Sequence, residues 1–390
     1  MTEVFVILFS CSLIAALYTL TVRRVRVERN YALGIPWRRT PTVGKLLFLL
    51  LLLILICFSG LRSRMNDTAT YINTFSSKVP STLDAISEID WSVGKNPLFV
   101  IYQILIRAFV SSSAHVFLFL TSMFITTSFF LFIYRYSTDF GFSVFIYIAF
   151  TSYAFTMGAM KQSIAAAIAI WTVPLFLKKH YFKAFFLIFA AMLFHPYVVV
   201  YLLIPVLTKG IWDGHTLLLL LLTIAGVALY GTVIVRVLSL TASIGDDYDI
   251  TLFTQGSSAN IFRLLFYMIV PLLSFLCRRQ LRAMKNPFVN VNVNLCVVAA
   301  CIMIFAQIGD ANLFGRMASY FDVFQCLSIA YIFTNGLKET KVGLLFKFVL
   351  IPCYCFFYYT YYQKYVSAWG IGWDGCVYKH ISLMELFMGW

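Results

Sequence analysis

The chain has 390 residues, of which 61% are hydrophobic and only 12% charged, and its mean hydropathy is +0.86. A soluble domain is roughly half apolar and a quarter charged, so these values exclude a soluble globular fold and define an all-α polytopic membrane protein. The net charge of +14 does not imply nucleic acid, because most of it lies in short loops between apolar runs, where Lys and Arg set orientation.

The apolar runs predict about twelve spans, at about 3–22, 45–60, 112–134, 141–158, 162–177, 182–195, 197–208, 215–237, 261–277, 290–309, 315–334 and 342–362. The first run is long enough to span and is followed by Arg23, Arg24, Arg26 and Arg29 without a small-x-small cleavage site, so no cleaved leader is expected. Three basic loops should share the cytoplasmic face: Arg23 to Lys45, Lys178-Lys179 with Lys183, and Arg278-Arg279 with Arg282 and Lys285. An even number of crossings must then separate them. Residues 97–110 (PLFVIYQILIRAFV) therefore cannot cross, and are predicted to form a lateral or re-entrant helix on the outer face. The run 182–208 must break, and His195-Pro196 is the break, because Pro fits the first turn of a new helix. The result is one membrane domain over 1–390, with both ends, the main loop 61–96 and the tail 363–390 on the outer face. No internal repeat is visible.

Most of the nine Cys lie inside apolar runs and act as small packing residues. Cys353-x-Cys355 has no second pair or His beside it, so no metal site is read there. Asp246, Asp247 and Asp249 lack the ligand spacing of a calcium loop. No metal or cofactor is expected.

Charged residues recur near the outer ends of the spans. Arg62 and Arg64 precede Asp67 by five and three positions in GLRSRMNDTATYINTF. They fit either local ion pairs in a solvated loop or an anion site, since guanidinium groups suit bidentate phosphate contacts. Lys161 and Gln162 open the helix MKQSIAAAIAIW, where an interfacial Lys either snorkels or contacts a ligand. His195 ends an apolar run in LFHPY, as a capping or a catalytic residue. Arg316 begins an apolar run just after Asp310, and an Arg there pairs with a headgroup phosphate, with Asp310 or with a ligand.

These residues carry a resemblance. Arg62, Asp67 and Tyr71; Asn96-Pro97-Leu98-Phe99; Lys161, Gln162 and Ala165; Phe194-His195; and Arg316, Tyr320 and Phe321 follow in the order and spacing of a known family. Over roughly 45 to 335 the chain resembles the EpsG-like branch of Wzy-type polymerases of O-antigen, capsule and exopolysaccharide. It departs from that pattern at Asn96, where Glu is usual, and at Lys161, where Arg is usual. The first puts an acid/base role there in doubt, and the second keeps the charge without the bidentate fork.

The resemblance implies a glycosyltransferase that uses no nucleotide-sugar and has a GT-C-like multi-span fold. It would join oligosaccharide repeat units carried on undecaprenyl diphosphate, at the outer face of the bacterial plasma (inner) membrane. On that reading Arg62, Arg64, Lys161 and Arg316 hold the diphosphate. Asp67 is the first candidate for general base and His195 the second. Tyr71, Trp91, Gln162 and Tyr320 contact glycan. Membrane lipids and a chain-length regulator are the other expected partners. A lipid-linked oligosaccharide flippase, or another GT-C-type transferase or ligase, is the competing reading. The near absence of charge in mid-span argues against transport.

Overall fold

A computed structural model describes residues 2–22, 40–232, 235–236, 239, 258–337, 341–368 and 379–388. Six helices among them are long and apolar enough to cross a membrane: Glu3–Val22, Thr42–Gly60, Ala114–Tyr136, Met160–Leu177, Pro287–Ile308 and Gly343–Tyr362. A bent pair, Phe140–Ala149 and Ser152–Gly158, makes a seventh candidate. Shorter apolar helices occupy Tyr181–Met192, Pro196–Leu207, Gly214–Ala228 and Ile261–Leu276. Among the described residues each of the twelve predicted runs contains helix, but only six helices, or seven with the bent pair, are long enough to cross.

In chain order the elements are α1 (Thr2–Val22), α2 (Thr42–Gly60), β1 (Arg62–Arg64), α3 (Thr68–Ser77) and α4 (Pro97–Phe109). Then come α5 (Ala114–Tyr136), α6 (Phe140–Ala149), α7 (Ser152–Gly158), α8 (Met160–Ala169), α9 (Thr172–Leu177) and α10 (Tyr181–Met192). A 3-10 helix (Pro196–Leu203) runs into α11 (Ile204–Leu207), followed by α12 (Gly214–Ala228), α13 (Ile261–Leu276), α14 (Arg278–Ala283) and α15 (Pro287–Ile308). The chain closes with α16 (Ala311–Ser319), α17 (Asp322–Tyr331), α18 (Lys341–Ala368), β2 (Lys379–His380) and α19 (Leu383–Met388).

Short polar side chains start many of these helices. Asp139, Asp213, Asn260, Asn286 and Asp310 each accept a backbone N–H from the first turn of the helix that follows. The 51° bend between α6 and α7 falls at Thr151, which is left-handed (φ 64°). Pro196 takes the first turn of its helix and His195 stays extended, as the His-Pro junction predicts.

Burial separates the layers. The α15 span is 78% buried and the α18 span only 28%. α15 is therefore a central post and α18 a rim helix. On α1, Val6, Phe9, Leu13, Leu17 and Leu20 face outward, an apolar stripe suited to lipid.

Two ends of the bundle can be told apart. At one end β1 pairs antiparallel with β2, Ile381 N–H donates to Leu61 O (2.8 Å), and His380 lies 3.8 Å from Glu3. The start of α1, the segment after α2 and residues 379–381 thus meet. α4 stays at this end: Leu98 N–H donates to Leu193 O (3.1 Å), and Arg107 donates to the carbonyls of Phe75 and Ser76 at the end of α3. At the opposite end Lys347 pairs with Asp139 (3.4 Å), Thr334 bonds Thr138 (2.7 Å), and Arg282 donates to Ile211 O (2.8 Å). The basic segment 278–285 is therefore set apart from the loop 61–96, as the charge pattern requires.

Arg62 departs from its expected place at a charged mouth. It is 1% exposed. Its Nε donates to Thr68 Oγ1 (3.1 Å) and its Nη1 to the Ser59 carbonyl and to Ser122 Oγ (2.7 Å). It staples α2, α3 and α5. Its physical reason for turning inward is that these oxygens replace its water. Replacing it with Met keeps bulk but orphans those oxygens, at a cost of about 1–3 kcal/mol for a buried group left unsatisfied. Arg62→Met is expected to lower the melting temperature in detergent and the yield of folded protein, whereas Arg316→Met leaves both near wild type. Fluorescence-detected thermal unfolding of the two variants checks this.

Candidate functional site

The site grows from the turn before α3. Asn66 is left-handed (φ 50°) and packs on Gly158, where an added Cβ would collide with the Asn66 amide. That close approach seats Asp67, the N-cap position of α3, beside the α7–α8 junction. Burial pushes the Asp67 carboxyl above the ordinary carboxylate range, and Arg316 nearby pulls it partly back.

Tyr71 follows one turn later on the same face of α3. Its ring meets Phe99 of α4 edge-on (6.2 Å), and its phenol lies against the Met160 and Lys161 backbone at the start of α8. Burial, with Asp67 adding to it, pushes the phenol up to about 12. Lys161 stands over the opposite partner of that pair, its Nζ 5.4 Å from the Phe99 ring centre.

Gln162 is 2% exposed and points inward. Its Nε2 donates to Arg316 O (2.6 Å) and to Ser319 Oγ (2.9 Å), joining α8 to α16. The Arg316 side chain is half-buried. It acts on Asp67, Tyr71 and His195 electrostatically. His195, in the junction after α10, shares a 2.7 Å hydrogen bond between its Nδ1 and Tyr320 O–H. Tyr201 in turn donates to Tyr320 O (2.8 Å). Burial, then Arg316 and Lys161, push the His195 imidazole down to about 3, so it stays neutral near pH 7.

The structure therefore gathers Asp67, Tyr71, Lys161, Gln162, His195, Arg316 and Tyr320 at one end of the bundle beside α4. It does not bring Arg62 there, for the reason above. Arg64 lies in β1, half-buried, in register with Lys379. Trp91 is 56% exposed in the stretch before α4. Gln162 and Tyr320 are buried and hold protein groups, so they brace the site from within. Asp246, Asp247 and Asp249 lie outside the described residues.

Several participants were not foreseen. Arg263 of α13 donates to Gly315 O (3.3 Å), and its guanidinium occupies the space a Cβ at Gly315 would need. Asp322 at the start of α17 accepts from Tyr267 O–H (2.5 Å). Both are single charges in apolar runs, FRLLFYMIV and FDVFQCLSI. A lone charge of this kind is itself a signal of a buried partner. Mid-span charge is thus scarce but present, and polar groups inside the bundle meet it.

The fold and this polar end define an all-α integral membrane protein with a half-buried cationic cluster beside α4. A model of the EpsG family matches residues 45–373, and the chain belongs to that family. Membership points to a polysaccharide polymerase-like, glycosyltransferase-like role. No curated protein and no solved structure matches the chain.

The depressed His195 has a measurable consequence. An unfolded imidazole binds its proton near pH 6.5, the folded one only near 3. Between these values the unfolded state holds the extra proton, so stability falls as pH drops below about 6.5. The melting temperature should fall between pH 7 and 5, and His195→Asn should flatten that fall. Parallel slopes for the two proteins would contradict the assignment.

Proposed function

We propose that this chain joins oligosaccharide repeat units carried on undecaprenyl diphosphate into a longer glycan, with the site at the outer face of the bacterial plasma membrane. The observation that carries the reading is the convergence of Arg316 and Lys161 on one half-buried cluster with Asp67 and His195. A diphosphate leaving group builds negative charge as it departs, and fixed cations aimed at it lower the barrier.

The transfer balances simply. The hydroxyl oxygen of the acceptor sugar attacks the anomeric carbon of the donor. The bond from that carbon to the diphosphate oxygen breaks, and its electron pair leaves with the lipid diphosphate. Arg316 and Lys161 receive that charge. The hydroxyl proton passes to Asp67.

Asp67 is favoured over His195 as base by its surroundings. Burial weakens the acidity of Asp67 and so strengthens its conjugate base. The same burial, with two cations, makes His195 a poorer base than free imidazole. His195 instead presents a neutral imidazole oriented by Tyr320. Tyr71 and Phe99 form the aromatic wall beside Lys161. Arg62 serves by holding α2, α3 and α5 together. The lipid tail of the substrate remains in the bilayer, and a chain-length regulator is a further proposed partner.

Arg316→Ala and Asp67→Asn are each expected to lower transfer by about 10²–10³-fold with normal membrane insertion. The check is a gel of surface polysaccharide from a host deleted for the gene and complemented with each variant. Deletion should collapse the ladder to single repeat units, and only wild type should restore it. Loss of even the single unit would transfer the reading to a flippase or a ligase. The acid limb of the wild-type rate should lie above the ordinary carboxylate range, because the Asp67 carboxyl must lose its proton before it can act.

A further inference from the structure

Beneath the cationic cluster, Tyr147, Ser152, Gln162, Ser163, Ser319 and Asp322 border a small cavity of about 20 Å³. Four oxygens on its wall are buried without a hydrogen-bond partner among the described residues: Tyr147 OH, Ser152 Oγ, Gln162 Oε1 and Ser163 Oγ. Thr156 and Ser152 approach Tyr147 and Asp322 without closing bonds of standard geometry. The four residues are 1–4% exposed, so bulk water does not serve them. A cavity that holds one water needs about 10–15 Å³ and two to four polar partners, and this one has both.

We propose that this cavity is a binding site for one ordered water, which ties Gln162 to the Asp322 wall and so positions Arg316. Charge selects water over a metal cation. Asp322 is the one carboxylate bordering the cavity, it already accepts from Tyr267, and Arg263 acts on it electrostatically. The wall is close to neutral, and a cation would lack a counter-charge. A water can donate to Gln162 Oε1, an acceptor only, and accept from the serine or tyrosine hydroxyls.

The consequence reaches the site through one side chain. Gln162 Nε2 already holds Arg316 O and Ser319 Oγ. A donor on its Oε1 fixes which way the amide faces, since a flipped amide would turn oxygen toward the Arg316 carbonyl. Asp322, Ser152 and Ser163 are then positioning residues for Arg316. The activity arm of the test rests on the proposed transfer reaction, and the structural arm does not.

The test is a density map of the full chain in lipid nanodiscs, at a resolution that shows ordered water, with Ser163→Val beside wild type. Wild type should show one isolated peak within hydrogen-bond distance of Gln162 Oε1 and at least two of the hydroxyls. Ser163→Val fills the cavity, and should lose the peak, blur the Gln162 amide and lower single-turnover transfer about tenfold with KM unchanged. Ser163→Ala keeps the room, and should keep the peak and lose less. Should Ser163→Val not fold, Ser152→Val makes the same change from the other wall. An empty wild-type cavity overturns the proposal whatever the enzyme does. So does a peak that vanishes when sodium is replaced by choline, because that marks a cation. Loss of the peak with an unchanged transfer rate overturns the positioning role. Absence of any transfer by wild type would instead count against the proposed reaction and leave the water standing on the map.

Discussion

Inside a bilayer every backbone polar group must find a partner within the protein, and this structure depends on that requirement wherever its helices break. Several of these breaks lie at the polar end of the bundle. Gln162 serves the Arg316 carbonyl, Arg263 the Gly315 carbonyl, Tyr201 the Tyr320 carbonyl and Arg62 the Ser59 carbonyl. Each interruption frees backbone groups, and a polar side chain satisfies one of them. The polar end is therefore a structural necessity before it is a functional one. The proposed function rests on three charged groups at this end: the Arg316 guanidinium, the Lys161 ammonium and the Asp67 carboxyl.

The electrostatics follow from partial burial. Fully hydrated charges at this spacing would be screened and would act weakly on one another. Held half-buried, Arg316 reaches Asp67, Tyr71 and His195 together. The two candidate bases are pushed in opposite senses, the carboxyl up and the imidazole down. That divergence is what separates Asp67 from His195 in the proposed transfer. α4 completes the arrangement: Phe99 touches both Tyr71 and Lys161, and Leu98 bonds Leu193 just before His195. This one helix thus contacts both sides of the site.

Much of the fold is legible along the chain because the bilayer imposes a length and an apolar character on each crossing. Counting basic loops predicts that 97–110 does not cross, and the structure has a helix there, Pro97–Phe109, that meets Leu193 near its start and the end of α3 near its own end. The His195-Pro196 break is legible for a local reason, since Pro removes a backbone donor and fits the start of a helix. The bend at Thr151 is not, because nothing in a β-branched residue announces a left-handed backbone. The site is legible in outline: Asp67, Tyr71, Lys161, Gln162, His195, Arg316 and Tyr320 do meet. Arg62 was misplaced because the oxygen that draws it inward, Ser122 Oγ, sits 60 positions away on α5.

The amino-acid sequence by itself determined the membrane class, the positions of the apolar runs and the set of charges near the polar end. Those properties depend on composition and on neighbours a few residues apart. Only the tertiary structure decided which charges face the site and which are consumed by the scaffold. It buried Arg62 and set Arg263 of α13 where it acts electrostatically on Asp322 of α17. It also turned Gln162 and Tyr320 from surface candidates into internal braces. The physical reason is that the cost of a charge or amide depends on what surrounds it, and those surroundings come from helices distant in sequence.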